Sequence, residues 1–178
     1  MSAYRYLAYG SNLHPLRLGE RADSADLLGV VVLGGYRLTF QKRSIDGSGK
    51  CNLLFTEDPS DLTYAALYEV ALSQKSDLDR FEGNGYRDHQ IEVSLNGDRY
   101  TCVAYTAKST HVDGSLKPYH WYKSLVVLGA EYLEMPEDYI SVIRTVESLR
   151  DPDSRRRATN EELIRRLSTA NGVIESTR

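Results

Sequence analysis

One carboxylate is a candidate general acid/base, Glu82 in the segment Leu78-Asp79-Arg80-Phe81-Glu82-Gly83. Ser73 as an N-cap and the three-residue spacing of Leu78 and Phe81 predict a short helix over 74–82. On that helix Leu78, Phe81 and Glu82 share one face, so the carboxylate ends an apolar stripe near the negative end of the helix dipole. Desolvation there is expected to raise its pKa, which suits proton transfer at neutral pH. Taken alone, the segment is more simply explained by an exposed glutamate beside the glycine that ends a helix.

A second segment could bind an oxygen of a ligand through its backbone. In Tyr6-Leu7-Ala8-Tyr9-Gly10-Ser11-Asn12-Leu13 a strand ends on a glycine, and two small polar residues follow. The glycine lacks side-chain bulk, so several N–H groups can converge on one ligand oxygen. Taken alone, this triplet is also more typical of an ordinary strand-to-loop turn.

Other chemistries lack the residues they need. Gly47-Ser48-Gly49-Lys50 resembles a phosphate-binding loop, but Ser44 stands where the earlier glycine is required and Cys51 where Ser or Thr is required. The histidines do not stand at zinc-ligand spacing with Cys51 and Cys102, so no metal site is predicted. Nothing singles out either cysteine as a nucleophile, and isolated buried cysteines usually pack as small apolar residues.

The elements that must position these segments come in the order strands, then helices. Strands are predicted over 4–9, 29–40 (with a bulge or bend at Gly34-Gly35), 52–56 and 63–70. The clearest hairpin joins 89–95 to 99–106 through Asn96-Gly97. A short helical turn follows Pro15, and helices follow Pro118, begin at Pro136 and begin at the capping box 159–162.

This order predicts an α+β fold, with an antiparallel sheet or barrel followed by a helical C-terminal segment. We assign residues 1–150 to one domain and 151–178 to a helical tail.

Composition narrows the class of protein. The 178 residues include 41% hydrophobic and 26% charged residues with a net charge of −3, so we expect no nucleic-acid partner. No apolar stretch has the length of a membrane span, and the start of the chain does not resemble a signal peptide, which predicts a cytoplasmic protein. The 13 tyrosines, against 3 phenylalanines and 1 tryptophan, suit a pocket that is both apolar and hydrogen-bonding.

Taken together, the two segments resemble the γ-glutamylcyclotransferase family, including its plant-defence-related and aminoglycoside-biosynthesis relatives. The similarity runs from Tyr6 to about Val146, and Tyr9-Gly10-Ser11-Asn12-Leu13 is its most specific part. Leu78-Asp79-x-x-Glu82-Gly83 is similar to the family's catalytic segment, and Cys102-Val103-Ala104-Tyr105 to a strand that carries a substrate-binding tyrosine. The C-terminal helical segment of the family is matched by residues from Tyr122-Lys123 to Tyr139.

The resemblance implies a small antiparallel or mixed β-barrel flanked by helices, with the pocket at its mouth and no cofactor. It implies that Glu82 is the acid/base in the conversion of a γ-glutamyl-amino acid or γ-glutamylamine to 5-oxoproline and a free amine. It further implies that the substrate is bound by Tyr6, Leu7, Ala8, Tyr9, Gly10, Ser11, Asn12, Leu13, Tyr105 and Tyr122. Within that scheme we expect the hydroxyls of Tyr9 and Tyr105 to orient the glutamyl group.

Several alternatives stay open. Segments 83–87 and 118–121 depart from the human cytosolic member of that family, which leaves the natural leaving group undecided. A non-catalytic binding or sensor module for γ-glutamyl metabolites could use the same pocket. The prediction also leaves a homodimer open.

Overall fold

Strands occupy most of the chain before Pro118 and helices follow it, as the sequence predicts. A computed structural model describes residues 2–176. The strands are β1 (Ala3–Ala8), β2 (Asp26–Gly34), β3 (Tyr36–Arg43), β4 (Gly49–Phe55), β5 (Leu62–Ala71), β6 (Tyr86–Leu95) and β7 (Asp98–Ala107). The α-helices are α1 (Pro15–Gly19), α2 (Lys75–Glu82), α3 (His120–Tyr132), α4 (Glu137–Thr145) and α5 (Ser154–Ser176).

Five strands form the main sheet in the order β2-β5-β1-β7-β6. All of its pairs are antiparallel except β1 with β7, which run parallel. The two central strands are almost wholly apolar where they pair, with Leu7 opposite Leu67 and Ala8 opposite Ala66, and all four residues are buried. Since a strand buried on both faces needs apolar residues at every position, this explains why their sequences lack a polar alternation.

The sheet curls so that its two edge strands approach each other. The register of β2 against β5 shifts between Leu27 and Gly29, and such an irregularity increases local twist. A Cβ atom on Gly29 would lie 3.0 Å from a methyl carbon of Leu95 in β6, so β6 packs across β2 at this point. The fold is therefore the predicted α+β arrangement of a curled, barrel-like sheet flanked by helices, in which side chains rather than a hydrogen-bonded ladder join β2 to β6.

Strands β3 and β4 form a separate two-stranded sheet. The prediction of one strand over 29–40 was therefore wrong. Gly35 has φ +80°, a value that glycine adopts without steric cost, and it turns the chain out of the main sheet. The turn matters for the site because β3 carries Lys42 and β4 carries Cys51.

Local turn chemistry was predicted more accurately. Asn96 and Gly97 have φ values of 53° and 91°, as a two-residue turn with two positive φ angles requires, and they join β6 to β7. Helix α2 ends at Glu82, and Gly83 follows with φ 76°. Its start was predicted wrongly, because a 3₁₀ turn over Leu72–Gln74 precedes it and Gln74, without a side-chain cap, stands at the N-cap.

The last helix packs along α3, with Leu163 and Leu167 buried. It begins at Ser154, so the capping box predicted at 159–162 lies inside the helix, and Asp153 accepts hydrogen bonds from the N–H groups of Arg155 and Arg156 instead.

The division into a domain over 1–150 and a tail over 151–178 stays a prediction. Among residues 2–176, no helix combines the length and the apolar character needed to cross a membrane.

Asp151 ties this tail to α3. Its carboxylate is buried, accepts from the Trp121 indole N–H at 2.8 Å, and forms a bidentate pair with Arg156. These donors hold the pKa of Asp151 well below its usual range.

We expect Asp151→Asn to lower the free energy of unfolding by about 1–2 kcal/mol at pH 7. The substitution removes the charge-assisted hydrogen bonds between Asp151 and Arg156, and Arg156 is partly solvated, which limits the loss. A carboxyl whose pKa is lowered by folding stabilises the protein at pH values above its ordinary pKa, and this contribution is lost in acid. The difference in unfolding free energy between the wild type and Asp151→Asn should therefore narrow toward pH 2. Denaturant melts at several pH values measure it. The exposed Asp26→Asn is the control, and equal stability of both variants at pH 7 would contradict the expectation.

Candidate active site

Glu82 lies at the last residue of α2, half-buried, with its Oε1 accepting from Nδ2 of Asn12 at 2.9 Å. Burial raises the pKa of the Glu82 carboxyl above its ordinary value. The charges of Arg21, Lys42 and Arg17 and the Asn12 hydrogen bond act against that rise. Desolvation thus makes the carboxyl a better proton acceptor, and nearby cations keep its ionised form accessible.

Asn12 connects the two segments singled out in the sequence. Its Nδ2 also contacts the Tyr6 hydroxyl at 3.0 Å, and its Oδ1 accepts from Arg21 at 2.8 Å. The side chain is buried, so these bonds fix its orientation and that of Glu82. The resemblance implies that Asn12 binds substrate, which stays a prediction, and the structure adds that its side chain holds the Glu82 carboxylate.

Asn12→Ala is expected to lower kcat by about 10- to 100-fold, since small misplacements of a reacting group carry costs of that order. Because the Asn12 hydrogen bond lowers the pKa of Glu82, its loss should also move the acid limb of the pH–rate profile to higher pH. Initial rates from pH 5 to 9 measure both effects, with the exposed Gln90→Ala as control. A lower rate with an unmoved acid limb would contradict this role.

The loop after β1 forms a turn in which the Leu13 N–H donates to the Gly10 carbonyl at 3.0 Å. Within the described part of the chain, the N–H groups of Gly10 and Ser11 have no hydrogen-bond acceptor. A Cβ atom on Gly10 would lie only 2.8 Å from the Cβ of Cys51 in β4. Glycine is therefore required here so that the loop can pack against β4.

Five tyrosines surround a small inner cavity of about 30 Å³ beside this loop. Three of their hydroxyls donate to protein acceptors: Tyr9 to the Tyr105 carbonyl, Tyr105 to Asp79, and Tyr86 to the Cys51 carbonyl. The hydroxyls of Tyr6 and Tyr122 instead accept, from Asn12 and from the Cys51 N–H. Among the described residues, Tyr6 therefore retains an O–H that a ligand could accept, whereas Tyr122 also hydrogen-bonds the Cys51 thiol. The orienting roles of the Tyr9 and Tyr105 hydroxyls stay a prediction.

The structure brings most of the predicted site residues to this cavity: Tyr6, Tyr9, Gly10, Ser11, Asn12, Glu82, Tyr105 and Tyr122. Leu7, Ala8 and Leu13 do not line it, because their side chains are buried in the core behind the loop. Sequence reasoning missed Tyr86 and Cys51. The tyrosine excess was the only signal for Tyr86, and nothing marked Cys51, whose position depends on β4 meeting the loop.

Neighbouring groups are poor alternatives to Glu82 in proton transfer or nucleophilic attack. Burial raises the pKa of the Cys51 thiol to about 12, so it stays protonated at neutral pH. The pKa values of Tyr6 and Tyr122 are likewise raised well above the ordinary value by burial. Over residues 2–176, no three His, Cys, Asp or Glu side chains are grouped closely enough to hold a metal ion.

The inner cavity adjoins a wider basin of about 450 Å³. Ser11, Glu82, Tyr86 and Tyr122 line both spaces, so the carboxylate of the candidate site lies at their boundary. Phe81, predicted to share an apolar face with Leu78, is 57% exposed at this basin, where the Arg21 guanidinium lies 5.2 Å from its ring centre. Only Leu78 of that pair belongs to the core.

The chain is similar in sequence to a protein family and to named mammalian proteins, and similar in fold to a solved structure. The profile of the AIG2-like family matches residues 63–143. A Bos taurus protein named gamma-glutamylcyclotransferase is 29% identical over 153 residues, which cover 82% of this chain and 79% of the length of that protein. The Homo sapiens protein of the same name is 27% identical over 153 residues, with the same coverage of both chains. A solved structure named gamma-glutamyl cyclotransferase shares the fold, with a TM-score of 0.79, 22% identity, and coverage of 93% of this chain and 99% of its own. The chain is therefore similar to the AIG2-like family over residues 63–143 and to mammalian proteins named gamma-glutamylcyclotransferase over most of its length.

Proposed function

We propose that this protein is a γ-glutamylcyclotransferase, which converts a γ-glutamyl-amino acid or γ-glutamylamine to 5-oxoproline and a free amine. The names of its mammalian relatives support this activity. The observation that carries the proposal is the position of Glu82, a desolvated carboxylate with a raised pKa at the boundary between a tyrosine-lined cavity and an open basin.

The reaction needs few protein groups because the nucleophile belongs to the substrate. Its α-amine attacks its own γ-carbonyl and closes a five-membered lactam, so much of the proximity advantage is intramolecular. Glu82 accepts a proton from the α-ammonium, which frees the electron pair for the attack. After the tetrahedral intermediate forms, Glu82 returns that proton to the departing nitrogen as the carbon–nitrogen bond breaks. The attacking nitrogen then still carries one proton more than the lactam keeps; it gives this proton to Glu82, which passes it to the released amine, so that the amine departs as an ammonium ion. Two protons thus pass from the α-ammonium to the leaving nitrogen through one carboxylate, and the proton balance closes.

The tetrahedral intermediate carries a negative oxygen that requires donors. We assign this role to the N–H groups of Gly10 and Ser11, because both residues line the cavity and these groups lack a protein acceptor among the described residues. Preorganised donors of this kind usually provide the largest electrostatic contribution to such reactions. In this scheme the glutamyl group occupies the inner cavity, near the hydroxyls of Tyr6 and Tyr122, and the leaving group extends into the basin.

The direct test is 5-oxoproline release from a panel of γ-glutamyl-amino acids, γ-glutamylamines and glutathione. Release that depends on Glu82 supports the proposal. Saturable binding of these compounds without any 5-oxoproline would contradict it and would favour a binding module. For such a module a desolvated carboxylate in the pocket of an anionic ligand would be a disadvantage.

We also propose a cytoplasmic location. Both cysteines, Cys51 and Cys102, are buried free thiols, as is usual in reducing compartments. The location can be checked by fractionation with an antibody to the protein.

A further inference from the structure

The basin outside the inner cavity is unusually basic. Within residues 2–176, Glu82 contributes the one carboxylate that lines it, together with six Arg or Lys side chains: Arg17, Arg21, Lys42, Arg43, Lys50 and Arg80. The protein as a whole has a net charge of −3, so this concentration of positive charge is local. A cleft lined by one sign of charge attracts ligands of the opposite sign.

Half of these cations already have carboxylate partners. Lys50 pairs with Asp46, Arg43 with Asp113 and Arg80 with Asp77. For Arg17, Arg21 and Lys42, by contrast, the described residues provide no ion pair. Arg21 donates to the neutral Asn12 amide and lies over the Phe81 ring.

Two of the three unpaired cations are also deeply buried. Arg17 is 7% exposed and Lys42 is 8% exposed, although both line the basin. Among the described residues, the Nε of Arg17 has no hydrogen-bond partner. The Lys42 ammonium lies 4.5 Å from the Tyr86 ring centre. Burial lowers the pKa of Arg17 to about 10 and lowers that of Lys42. Charged groups are seldom buried without a partner, because desolvation disfavours the charged form.

The fold brings these two side chains together from distant parts of the sequence. Arg17 comes from α1, directly after the Tyr9–Leu13 loop, and Lys42 comes from β3. Neither lines the inner cavity, where the glutamyl group is assigned. Their charges are therefore placed to act on the part of the substrate that departs.

We propose that this basin selects leaving groups that carry at least two carboxylates, so that a γ-glutamyl-glutamate or γ-glutamyl-aspartate unit is a better substrate than a neutral γ-glutamylamine. The inference rests on the proposed function and specifies its substrate class. The α-carboxylate and the side-chain carboxylate of such a leaving group would each meet a buried cation. Because both cations also lower the pKa of Glu82, an anionic leaving group offsets that effect and strengthens the base.

The experiment compares three substrates that share the γ-glutamyl group. γ-Glutamyl-glutamate has two carboxylates on its leaving group, the near-isosteric γ-glutamyl-glutamine has one, and γ-glutamyl-butylamine has none. We expect kcat/KM for 5-oxoproline release to be at least about tenfold higher for the glutamate than for the glutamine compound at low salt. Salt should reduce this ratio through screening.

Lys42→Met keeps the aliphatic stem and removes the charge, and it should reduce the glutamate-to-glutamine ratio to below about threefold. The matched control is Lys117→Met, an ion-paired lysine outside the basin, which should preserve the ratio. If Lys42→Met does not fold, the salt dependence of the wild-type ratio decides the question by itself.

The outcomes separate this inference from the proposed function. Release at similar kcat/KM from the glutamate and glutamine compounds, or faster release from the butylamine compound, would overturn the inference and leave the activity established. Release from none of the three would overturn the inference, and it would overturn the proposed function as well if the wider panel of γ-glutamyl compounds also yielded no 5-oxoproline.

Discussion

Replacement of Glu82 by glutamine is expected to lower the rate of 5-oxoproline release by about 10²- to 10⁴-fold. The amide keeps the size of the side chain but cannot accept the proton of the α-ammonium. Since Glu82 serves both proton transfers in the proposed mechanism, the loss should lie near the upper end of that range. The measurement is 5-oxoproline release from a γ-glutamyl-amino acid under saturating substrate.

Thermal melts separate a chemical defect from a folding defect. Because burial raises the pKa of Glu82 in the folded state, this carboxyl favours folding below its ordinary pKa and loses that contribution as the pH rises through the raised value. Glu82→Gln should therefore be at least as stable as the wild type at pH 7, and its stability should not exceed that of the wild type near pH 4. The exposed Glu92→Gln is the control. A folded Glu82→Gln protein that retains more than about a tenth of wild-type turnover, a smaller loss than the low end of the general range, would show that Glu82 is not the base.

The same pKa shift fixes the direction of the pH dependence in the wild type. Glu82 must be ionised to accept a proton, so kcat/KM should fall as the pH falls through its raised pKa. The acid limb should accordingly lie above the ordinary titration range of a glutamate, and Glu82→Gln should lack it.

Features encoded by neighbouring residues could be predicted from the sequence. Asn96-Gly97 specifies the β6–β7 hairpin because a tight turn needs positive φ at both positions. Gly83 ends α2 directly after Glu82, but the apolar face predicted from Leu78 and Phe81 was only half right, since Leu78 is buried and Phe81 is exposed. These local signals were enough to place the candidate acid/base at a helix end beside the core.

Features that depend on contacts between residues distant in the sequence could not be predicted from it. Gly34-Gly35 indicates a bend, but its pattern does not reveal that the chain leaves one sheet for another. The contact of Asn12 with Glu82 joins residues 70 positions apart, and no periodicity reports it. The two buried cations of the basic basin, Arg17 and Lys42, look like ordinary surface residues in the sequence.

The sequence also cannot predict which tyrosine hydroxyls in the cavity have an acceptor within the protein. The abundance of tyrosine predicts a pocket of mixed polarity, and five tyrosines do line the cavity. Which of them retains an O–H for a ligand depends on whether a carbonyl or carboxylate lies within reach. Tyr105 is committed to Asp79 in this way, whereas Tyr6 accepts from Asn12.

Gly10→Ala is expected to lower the rate of 5-oxoproline release by about 10²- to 10³-fold, the usual effect of losing one oxyanion donor. The added methyl group would lie 2.8 Å from the Cβ and 3.1 Å from the Sγ of Cys51, distances that force the loop away from β4. The N–H groups of Gly10 and Ser11 would then leave the position that the developing oxyanion needs. Overpacking of this kind costs about 1–3 kcal/mol of stability, so a melt must accompany the assay.

A second substitution in the same contact makes the test specific. Cys51→Gly removes the two atoms that the new methyl group would meet too closely and leaves the Tyr122 hydroxyl at an ordinary contact distance of 3.7 Å. It also keeps the main-chain hydrogen bonds of residue 51 to Tyr122 and Tyr86. The double variant should therefore be at least about tenfold more active than Gly10→Ala alone, although less active than the wild type. Gly114→Ala, where the added methyl group meets nothing within 4 Å, should behave as the wild type. A folded Gly10→Ala protein with near wild-type turnover would remove the backbone donors from the mechanism, because the methyl group cannot be accommodated without moving them.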